Sequence, residues 1–429
     1  MSPARPPRRS SPPQAAGAPR WSEDQAEAYL LGLELFGMRF GLDRMRRLLL
    51  TLGEPQQRFD AVHVVGTNGK SSTVRMIAAI LERHGRRTGA YLSPHLVRFG
   101  ERVRIGERDL APDDFAAAVQ RAAGAAARVD RTLAEDDRVT QFEALTAAAF
   151  SEMARREVDA GVIEAGLGGR WDATNVLDSR VAVLTNVGLE HTRWLGPTVR
   201  DIAREKLAVV RPGSTLVVGP DLHPDALDEA RRVDARLVVA REAGMPSLLA
   251  RGGFQRRTFA VARAAAEAYL GELDEEAVTG AAAGTRVPGR FELLEGAPPK
   301  FFDGAHNPGG MAALAETVRE DLSGRALTLV LSILDDKDAG EMLRQIVPLA
   351  RRVIATSNAN PRALSPATLE SLSRQVGAAD VAVVADPRRA LALARKVAAA
   401  EDGAVLVTGS IYLIADLLRD DPGKAGSTL

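Results

Sequence analysis

The stretch that decides the fold is Val64-Val65-Gly66-Thr67-Asn68-Gly69-Lys70-Ser71-Ser72-Thr73. An apolar strand ends in two valines, a glycine-rich turn follows, and a helix is predicted from Lys70 onward. Backbone N–H groups at the start of a helix bind anions, and the helix dipole favours negative charge there. The turn therefore predicts a nucleoside triphosphate site, with an ordinary strand-to-helix turn as the alternative. The residues expected to bind the phosphates are Gly66, Thr67, Asn68, Gly69, Lys70, Ser71 and Ser72.

Length and composition limit the class of protein. The 429 residues exceed one ordinary core and suit two or three domains. The formal net charge is zero, so nothing indicates binding to nucleic acid or to a membrane through bulk charge. The expected partners are therefore small molecules, and we expect a monomer.

Cysteine is absent, which excludes a disulfide, a thiol nucleophile and a thiolate metal site. Any metal ion would be bound through oxygen or imidazole. No apolar stretch is long enough to cross a bilayer, and residues 1–20 combine prolines and arginines without the apolar core of a signal peptide. We expect a cytoplasmic protein in which residues 1–20 are a disordered tail, with a transit peptide as the alternative.

Short β-rich runs alternate with helical segments on both sides of the phosphate loop, and helical spacing also runs from Glu23 to Leu52. The predicted strands are Ala61–Val65, Thr88–Leu92, Gly161–Ala165, Val181–Val187 and Thr215–Val218. Predicted helices begin at Lys70, Asp113, Phe142, Val199 and Pro224. This alternation predicts an α/β fold with a parallel sheet flanked by helices.

A second alternating series begins after Gly296-Ala297-Pro298-Pro299. Its predicted strands lie near Phe301–Phe302, Leu327–Leu331, Val353–Ala355, Val381–Val384 and Ala404–Val407. The Gly/Pro cluster marks a domain boundary. We predict an ATP-binding domain over residues 21–295 and a smaller, doubly wound (Rossmann-like) domain over residues 296–429.

Four polar residues lie close to the carboxyl edge of the first predicted sheet, where open α/β sheets bind ligands. They are Ser93, Glu143, His191 and Lys206. Each has an ordinary alternative, namely a turn serine, a charge at a helix start, a loop histidine and a solvated helix cation. Lysine is scarce in this arginine-rich chain, so a retained lysine hints at a need for a compact or titratable amine. Together the four residues indicate a metal site beside the phosphate loop.

Several motifs, in one order, resemble the folylpolyglutamate synthase and dihydrofolate synthase branch of the Mur ligase superfamily. The phosphate loop is similar to the ATP loop of that superfamily, with Val64 where the common pattern has glycine. The other motifs are Leu92-Ser93-Pro94-His95-Leu96, Glu164-Ala165-Gly166-Leu167-Gly168-Gly169-Arg170-Trp171-Asp172-Ala173-Thr174-Asn175, Asp303-Gly304-Ala305-His306-Asn307-Pro308 and Gly409-Ser410-Ile411-Tyr412-Leu413. The resemblance runs from about Ala26 to Leu418.

The resemblance implies ATP and two magnesium ions as cofactors. Ser93 and Glu143 would hold one ion against the phosphates, and Glu143, His191 and Lys206 would hold the second. An ammonium group cannot bind a cation, but the family carbamoylates the matching lysine, so Lys206 is expected to carry a carbamate. Oxygen ligands of this kind are those that magnesium prefers.

The second half of the chain carries further residues with implied roles. Arg290 and Asp303 match family residues that contact ATP from the second domain, and Gln255 matches the family's nucleotide-binding motif His-Gln-x-x-Asn. His306 is a candidate catalyst, with a positioning role as the alternative. The catalytic residues implied by the resemblance are Lys70, Glu143, His191, Lys206 and His306.

The chain also departs from the family pattern. Ser71 stands where the folate branch has glycine, and Phe254 and Thr258 replace the histidine and asparagine of the nucleotide motif. Residues 239–253 are short for the family, which has a small β extension there. These departures predict altered adenine contacts and looser selection of the nucleotide.

The implied reaction is ATP-driven amide formation. The carboxylate of dihydropteroate or of a reduced folate attacks the γ-phosphate, and the amine of L-glutamate then attacks the acyl phosphate. Lys70 and magnesium would stabilise the transferring phosphoryl group. The alternatives are a peptidoglycan-precursor ligase of the same superfamily and a nucleotide-dependent switch, which the second full domain and the lack of an Asn-Lys-x-Asp motif disfavour.

Overall fold

The computed structural model describes residues 19–34 and 41–419. All but the last two residues of the expected N-terminal tail lie outside these ranges. The described chain forms two sheets, one for each half of the sequence, with helices packed on both faces of each sheet. The predicted α/β class is confirmed.

The first sheet has eight strands. They are β1 (Asp60–Val65), β2 (Thr88–Tyr91), β3 (Val103–Ile105), β4 (Arg108–Asp109), β5 (Ala160–Glu164), β6 (Ser179–Leu184), β7 (Ser214–Val218) and β8 (Ala235–Val239). Their order is β4-β3-β2-β5-β1-β6-β7-β8, and all pairs are parallel except β2–β3 and β3–β4. The strand that enters the phosphate loop therefore lies near the middle of the sheet.

The second sheet has six strands. They are β9 (Glu292–Leu294), β10 (Lys300–Phe302), β11 (Leu327–Leu331), β12 (Arg352–Ala355), β13 (Val381–Val383) and β14 (Ala404–Thr408), in the order β13-β12-β11-β14-β10-β9. Only β9 runs antiparallel to its neighbour. Since β9 pairs with β10, the second sheet begins before residue 295, ahead of the Gly/Pro cluster from which the boundary was predicted.

The helices alternate with the strands. They are α1 (Glu23–Leu31), α2 (Asp43–Thr51), α3 (Lys70–Arg83), α4 (Pro112–Asp130), α5 (Gln141–Arg155), α6 (Thr192–Leu195), α7 (Val199–Leu207), α8 (Pro224–Ala230), α9 (Gly253–Leu270), α10 (Glu275–Gly284), α11 (Pro308–Asp321), α12 (Ala339–Ile346), α13 (Pro366–Gln375), α14 (Pro387–Ala400) and α15 (Ile411–Leu418). The helical spacing predicted from Glu23 to Leu52 belongs to two helices, because α1 ends at Gly32. No strand lies between β8 and α9.

Strand β1 is buried on both faces, which fixes the start of the phosphate loop. Val62 and Val64 pack against α3 and α9, whereas Ala61 faces the core under α4 and α5. Val65 joins a third cluster with α7 and α8. Alternate side chains of a strand point to opposite faces, so β1 is held by helices on both faces of the sheet. The loop that follows is thereby placed at the carboxyl edge of the sheet.

Apolar side chains of the first domain pack into the second. Leu96 belongs to the cluster of β14, α14 and α15, and Phe254, near the start of α9, packs against the cluster under α11. Helix α9 also contacts α11 directly. The two sheets therefore face a common cleft. Among the described residues no helix is long and apolar enough to span a membrane.

Candidate active site

One large cleft, with a volume of about 1100 Å³, separates the two domains. The residues that line it from the first domain include Thr67, Asn68, Gly69, Lys70, Ser71, Ser72, Ser93, Glu143, Glu164, Glu190 and His191. Those from the second domain include Arg290, Asp303, His306, Lys337, Arg362 and Tyr412. Most residues predicted for the site thus line one cleft. Gly66 belongs to the phosphate loop but does not line the cleft, and Lys206 Nζ donates to the Gly66 carbonyl.

The phosphate loop is fixed by the turn that follows β6. Only glycine fits at position 66, because a Cβ there would lie 1.9 Å from Thr185 Oγ1. Thr185 Oγ1 in turn donates to the Asn68 carbonyl at 2.6 Å, and the Asn68 N–H donates to Asn186 Oδ1 at 2.8 Å. The loop therefore keeps its shape through contacts with a neighbouring strand end, as a pre-organised anion site requires.

Two lysines meet at the carbonyl oxygen of Gly66. Lys70 Nζ donates to it at 3.0 Å and Lys206 Nζ at 2.9 Å. Burial of Lys206, together with repulsion by the nearby Lys70 ammonium, lowers the Lys206 pKa to about 7, against the opposing influence of Glu190 and Asp172. A large share of Lys206 is therefore a neutral, nucleophilic amine at neutral pH.

Close packing of a glycine-rich turn on α7 brings Lys206 to this place. A Cβ on Gly169 would lie 2.6 Å from the Glu205 carbonyl and 2.7 Å from that of Lys206, so the turn can approach the helix only with glycine there. The turn follows β5, and Lys206 lies on the helix it touches. The glycine motif therefore positions the lysine rather than contacting a ligand through side chains.

Glu164, the last residue of β5, is the acidic group closest to the phosphate loop. Its Oε1 accepts from Ser71 Oγ at 3.0 Å and its Oε2 from the Ser93 N–H at 3.2 Å. Burial raises the pKa of Glu164, although the Lys70 ammonium and these two donors favour its carboxylate. The sequence prediction missed Glu164, although it lies one residue before the end of the predicted strand Gly161–Ala165 and ends the observed strand.

Glu143 lines the same cleft as Ser93 and His191, and its predicted role as a shared metal ligand stays a prediction. Arg44 Nε donates to both Glu143 oxygens at 3.1 Å, and the Thr140 N–H donates to Oε2 at 2.9 Å. Thr140 also caps α5, so Glu143 completes a capping box. Its carboxylate is already paired within the first domain. These contacts hold the Glu143 carboxylate, Arg44 and the start of α5 together.

His191 lies in the cleft at the start of α6, with a left-handed backbone at φ 52°. Partial removal from water, together with the positive charges of Lys337, Lys70 and Lys206, lowers its pKa to about 4, despite the opposing influence of Glu190. The imidazole is therefore neutral at neutral pH, which is the form that binds metal ions. Within residues 19–34 and 41–419 no three His, Asp or Glu side chains lie close enough together to form a metal centre by themselves.

Asp303 organises the second domain's side of the cleft. It is buried, and it accepts from the Phe291 N–H at 2.8 Å and the Ala305 N–H at 2.7 Å, so it ties the turn before β9 to the turn after β10. Burial raises its pKa against the influence of Arg290. A Cβ on Gly304 would lie 2.4 Å from Arg290 Nη1, so this glycine leaves room for the guanidinium. Asp303 therefore positions Arg290 toward the cleft.

Further polar side chains line the second domain's wall. His306 donates from Nδ1 to the Gly304 carbonyl at 2.8 Å, which turns Nε2 toward the first domain. Lys337 and Arg362 line the same wall beside Asp336 and Tyr412. No individual role was predicted for Lys337 or Arg362 from the sequence, although the scarcity of lysine was a signal for Lys337. Asp338 accepts from the Glu341 N–H at 2.9 Å and is a helix cap.

Gln255 does not line the cleft. It is fully buried on α9, and neither of its amide atoms has a hydrogen-bond partner among the described residues. The residues of α9 that do line the cleft are Phe254, Arg257, Thr258 and Val261. The expected nucleotide contact of Gln255 stays a prediction.

Comparison with known proteins agrees with this architecture. The family description "Mur ligase middle domain" matches residues 64–229, and "Mur ligase, glutamate ligase domain" matches residues 289–411. The dihydrofolate synthase/folylpolyglutamate synthase of Mycobacterium tuberculosis is 34% identical over 381 residues, with 78% of this chain and 77% of the relative covered. That of Bacillus subtilis is 30% identical over 429 residues, with coverages of 92% and 98%.

Solved structures show the same similarity. Mycobacterium tuberculosis folylpolyglutamate synthase complexed with ADP superposes with a TM-score of 0.85 at 31% identity, covering 94% of this chain and 99% of the other. A bifunctional folylpolyglutamate synthase/dihydrofolate synthase with Mn, AMPPNP and L-glutamate bound gives a TM-score of 0.81 at 28% identity, with coverages of 95% and 98%.

A phosphate-loop domain facing a glutamate ligase domain across one cleft defines the class of Mur-type ligases. Within that class, the chain belongs to the dihydrofolate synthase/folylpolyglutamate synthase family. The resemblance read from the motifs is confirmed.

Replacement of Lys70 by alanine tests the phosphate loop. We expect Lys70→Ala to keep the fold, because its ammonium bonds only to carbonyls of its own loop. Turnover should fall roughly 10²–10³-fold, the usual loss for one pre-organised charge-stabilising donor. Circular dichroism and steady-state ADP release measure the two effects. Near wild-type turnover would remove Lys70 from the site.

A paired comparison separates the two glutamates. We expect Glu164→Gln to abolish magnesium-dependent turnover while the protein stays folded, because its carboxylate lies beside Ser71 and Ser93. Glu143→Gln should instead lower stability by about 1.5–3 kcal/mol, as for one charged hydrogen-bond pair, with its magnesium dependence kept. Magnesium titration and urea denaturation of both variants check this. The reverse pattern would restore Glu143 as the metal ligand.

Proposed function

We propose that this chain is an ATP-dependent ligase that adds L-glutamate to dihydropteroate and to the γ-carboxylate of reduced folates through an acyl phosphate. The observation that carries the proposal is the single cleft between the domains. The phosphate loop and Glu164 lie on one wall, and Arg290, Lys337 and Arg362 lie on the other. One wall suits a triphosphate and the other a dicarboxylic amino acid, so the reacting groups meet between them.

The first step needs charge neutralisation at the γ-phosphate. The N–H groups at the start of α3 and the Lys70 ammonium face this position, and Arg290 approaches from the second domain. Because the carboxylate nucleophile is itself negative, these cations lower the repulsion between the two reacting anions. Positioning and electrostatics account for most of the expected rate gain.

The donor set of the first domain fits magnesium. Glu164 offers a buried carboxylate next to Ser71 and Ser93, which are hydroxyl and carbonyl donors of the kind that magnesium accepts. In the proposal Glu164 takes the shared role first predicted for Glu143. Ser93 completes one site, and His191 with Lys206 completes the other. When bound, magnesium would neutralise phosphate charge.

Lys206 is proposed to be carbamoylated. Its neutral amine adds to the carbon of CO₂, forming an N–C bond and releasing a proton, so that an ammonium is replaced by a carboxylate. A pKa near 7 supplies the neutral amine, and the closeness of Lys70 favours the anionic product. The carbamate would then be an oxygen ligand for magnesium, which the ammonium cannot be.

The second domain's wall supports glutamate as the amine substrate. Lys337 and Arg362 are two cations within one side of the cleft, which suits an amino acid with two carboxylates. Arginine and lysine bind carboxylates by charge-assisted hydrogen bonds. A peptidoglycan-precursor ligase would need room for a nucleotide-linked sugar peptide, and the relatives reported above favour the folate branch.

Nucleotide selectivity, the monomeric state and the cytoplasmic location stay predictions. Phe254, Thr258 and the Gly219-Pro220 turn line the cleft, and in the proposal they would bind the base. Phe254 also packs into the second domain's core, which limits its freedom to contact a base. This supports the expectation that selection of adenine is looser than in relatives.

The substrate dependence of ADP release tests the proposal. We expect ADP release to require a pterin acid or folate together with L-glutamate, and mass spectrometry to show a product heavier by one glutamyl residue. GTP should support part of the activity if the base is weakly selected. A nucleotide switch would instead hydrolyse ATP slowly whether or not the two substrates were present, and that result would overturn the ligase.

Substitution of Lys206 tests the carbamate. We expect Lys206→Arg to be inactive despite its retained charge, because arginine forms no such carbamate, while Lys206→Ala should be rescued in part by formate or acetate. Lys396→Arg on the exposed face of α14 is the matched control and should stay active. A carbamate signal in ¹³C NMR with labelled CO₂ is the direct measurement. An active Lys206→Arg enzyme would contradict both the carbamate and the second metal site.

A further inference from the structure

A carboxylate of the first domain is held almost entirely by the second. Glu190 Oε1 accepts from Asn307 Nδ2 at 3.1 Å, and it lies 3.5 Å from both Lys337 Nζ and His306 Nε2. The Glu190 side chain is 10% exposed. A buried anion of this kind is stable only beside its partners. The charge of Glu190 therefore favours the arrangement in which the two domains meet.

Asn307 connects this carboxylate to the phosphate loop. Its amide pairs reciprocally with that of Asn68, with Nδ2 donating to Asn68 Oδ1 at 3.0 Å and Oδ1 accepting from Asn68 Nδ2 at 3.2 Å. The same Oδ1 accepts from the Gly310 N–H at 2.8 Å and caps α11. Both donor and both acceptor positions of the amide are thus used, which leaves it a single orientation.

The two first-domain partners belong to the parts of the site that bind phosphate and metal. Asn68 lies within the phosphate loop, where its backbone is fixed by Thr185 and Asn186. Glu190 directly precedes His191 in the chain. The second-domain partners, His306 and Lys337, line the opposite wall. One asparagine therefore touches the phosphate-binding element and the carboxylate that lies beside His306 and Lys337.

We propose that Asn68, Glu190, Asn307, His306 and Lys337 form an interdomain bridge in which Asn307 is a positioning residue. When the domains meet, the bridge sets His306 and Lys337 at a fixed distance from the phosphate loop. The amino acid on the second wall is thereby aligned with the acyl phosphate on the first. The alignment of the amino acid with the acyl phosphate rests on the proposed ligase function. The bridge itself depends only on the contact between the domains.

The bridge is more deeply buried than another polar contact between the domains. Arg257 and Glu316 also pair across the interface, at 3.0 Å, but their side chains are 28% and 52% exposed. Exposed ion pairs contribute little to stability. Asn307, at 4% exposure, is in contrast shielded from water. The bridge is therefore expected to contribute more to the closed arrangement than this exposed pair does.

Asn307→Asp is the sharpest variant. Aspartate keeps the cap of α11, because it is as good an N-cap as asparagine. It loses the Nδ2 donor and places a second negative charge opposite Glu190. The double variant Glu190→Gln/Asn307→Asp restores one donor and one acceptor with their roles exchanged. Glu316→Gln, which removes only the exposed pair, is the matched control.

Two readouts are needed. The first is steady-state kinetics with glutamate as the varied substrate. The second is the distance between spin labels at Glu276→Cys on α10 and Gln375→Cys on α13, both exposed, measured with AMPPNP and magnesium. The chain has no other cysteine, so the labels are specific. This distance reports the domain contact without any turnover.

We expect Asn307→Asp to broaden and lengthen the label distance and to lower kcat/KM for glutamate about 10- to 100-fold, as for one or two charge-assisted hydrogen bonds. The double variant should recover most of both losses, and Glu316→Gln should change either by less than about twofold. Wild-type distances in Asn307→Asp, or a double variant no better than the single one, would overturn the bridge. If the wild-type protein ligates no pterin acid, the proposed function fails. The distances between the spin labels still test the bridge in that case.

Discussion

Two lysine ammonium groups donate to one carbonyl oxygen, that of Gly66, at 3.0 and 2.9 Å. This shared acceptor is possible only because position 66 has no side chain and lies against Thr185. The same contact places Lys70 at the start of α3 and forces Lys206 into a buried position beside a like charge. The low pKa of Lys206 and the shape of the phosphate loop thus have one origin, and it lies at the end of β1.

The parallel strands were predictable because their burial on both faces produces continuous apolar runs. Every strand predicted from such a run is present, whereas β3, β4, β8 and β9 were missed. Those four lie toward the sheet edges, where short or partly exposed strands carry a weaker hydrophobic pattern. The break between α1 and α2 was also missed, since apolar spacing continues across Gly32 without marking the end of a helix.

The candidate site could be predicted where polar residues follow a strand end or a glycine turn, whereas contacts with distant partners could not. Glu143 lies near the start of a helix, and Glu164 ends a strand. The two glutamates differ in their partners, because Arg44, which lies 99 residues before Glu143, donates to the Glu143 carboxylate. No local pattern reveals such a pair. Glu164 instead faces Ser71, whose hydroxyl was the visible departure from the family pattern.

The zero net charge of the chain does not show how its charged side chains are arranged in the fold. On the outer surface arginines pair with nearby acids, as Arg374 does with Glu370 and Arg344 with Glu341, so their charges cancel locally. The cleft instead gathers Lys70, Arg290 and Lys337 around carboxylates that are buried and already hydrogen-bonded. These cations share the cleft with acidic residues such as Glu164, Glu190 and Asp303, so a phosphate or carboxylate would meet them through local geometry and not through a cleft of uniform charge. Bulk composition therefore gives no information about a phosphate and carboxylate site, which depends on how the fold places its charges.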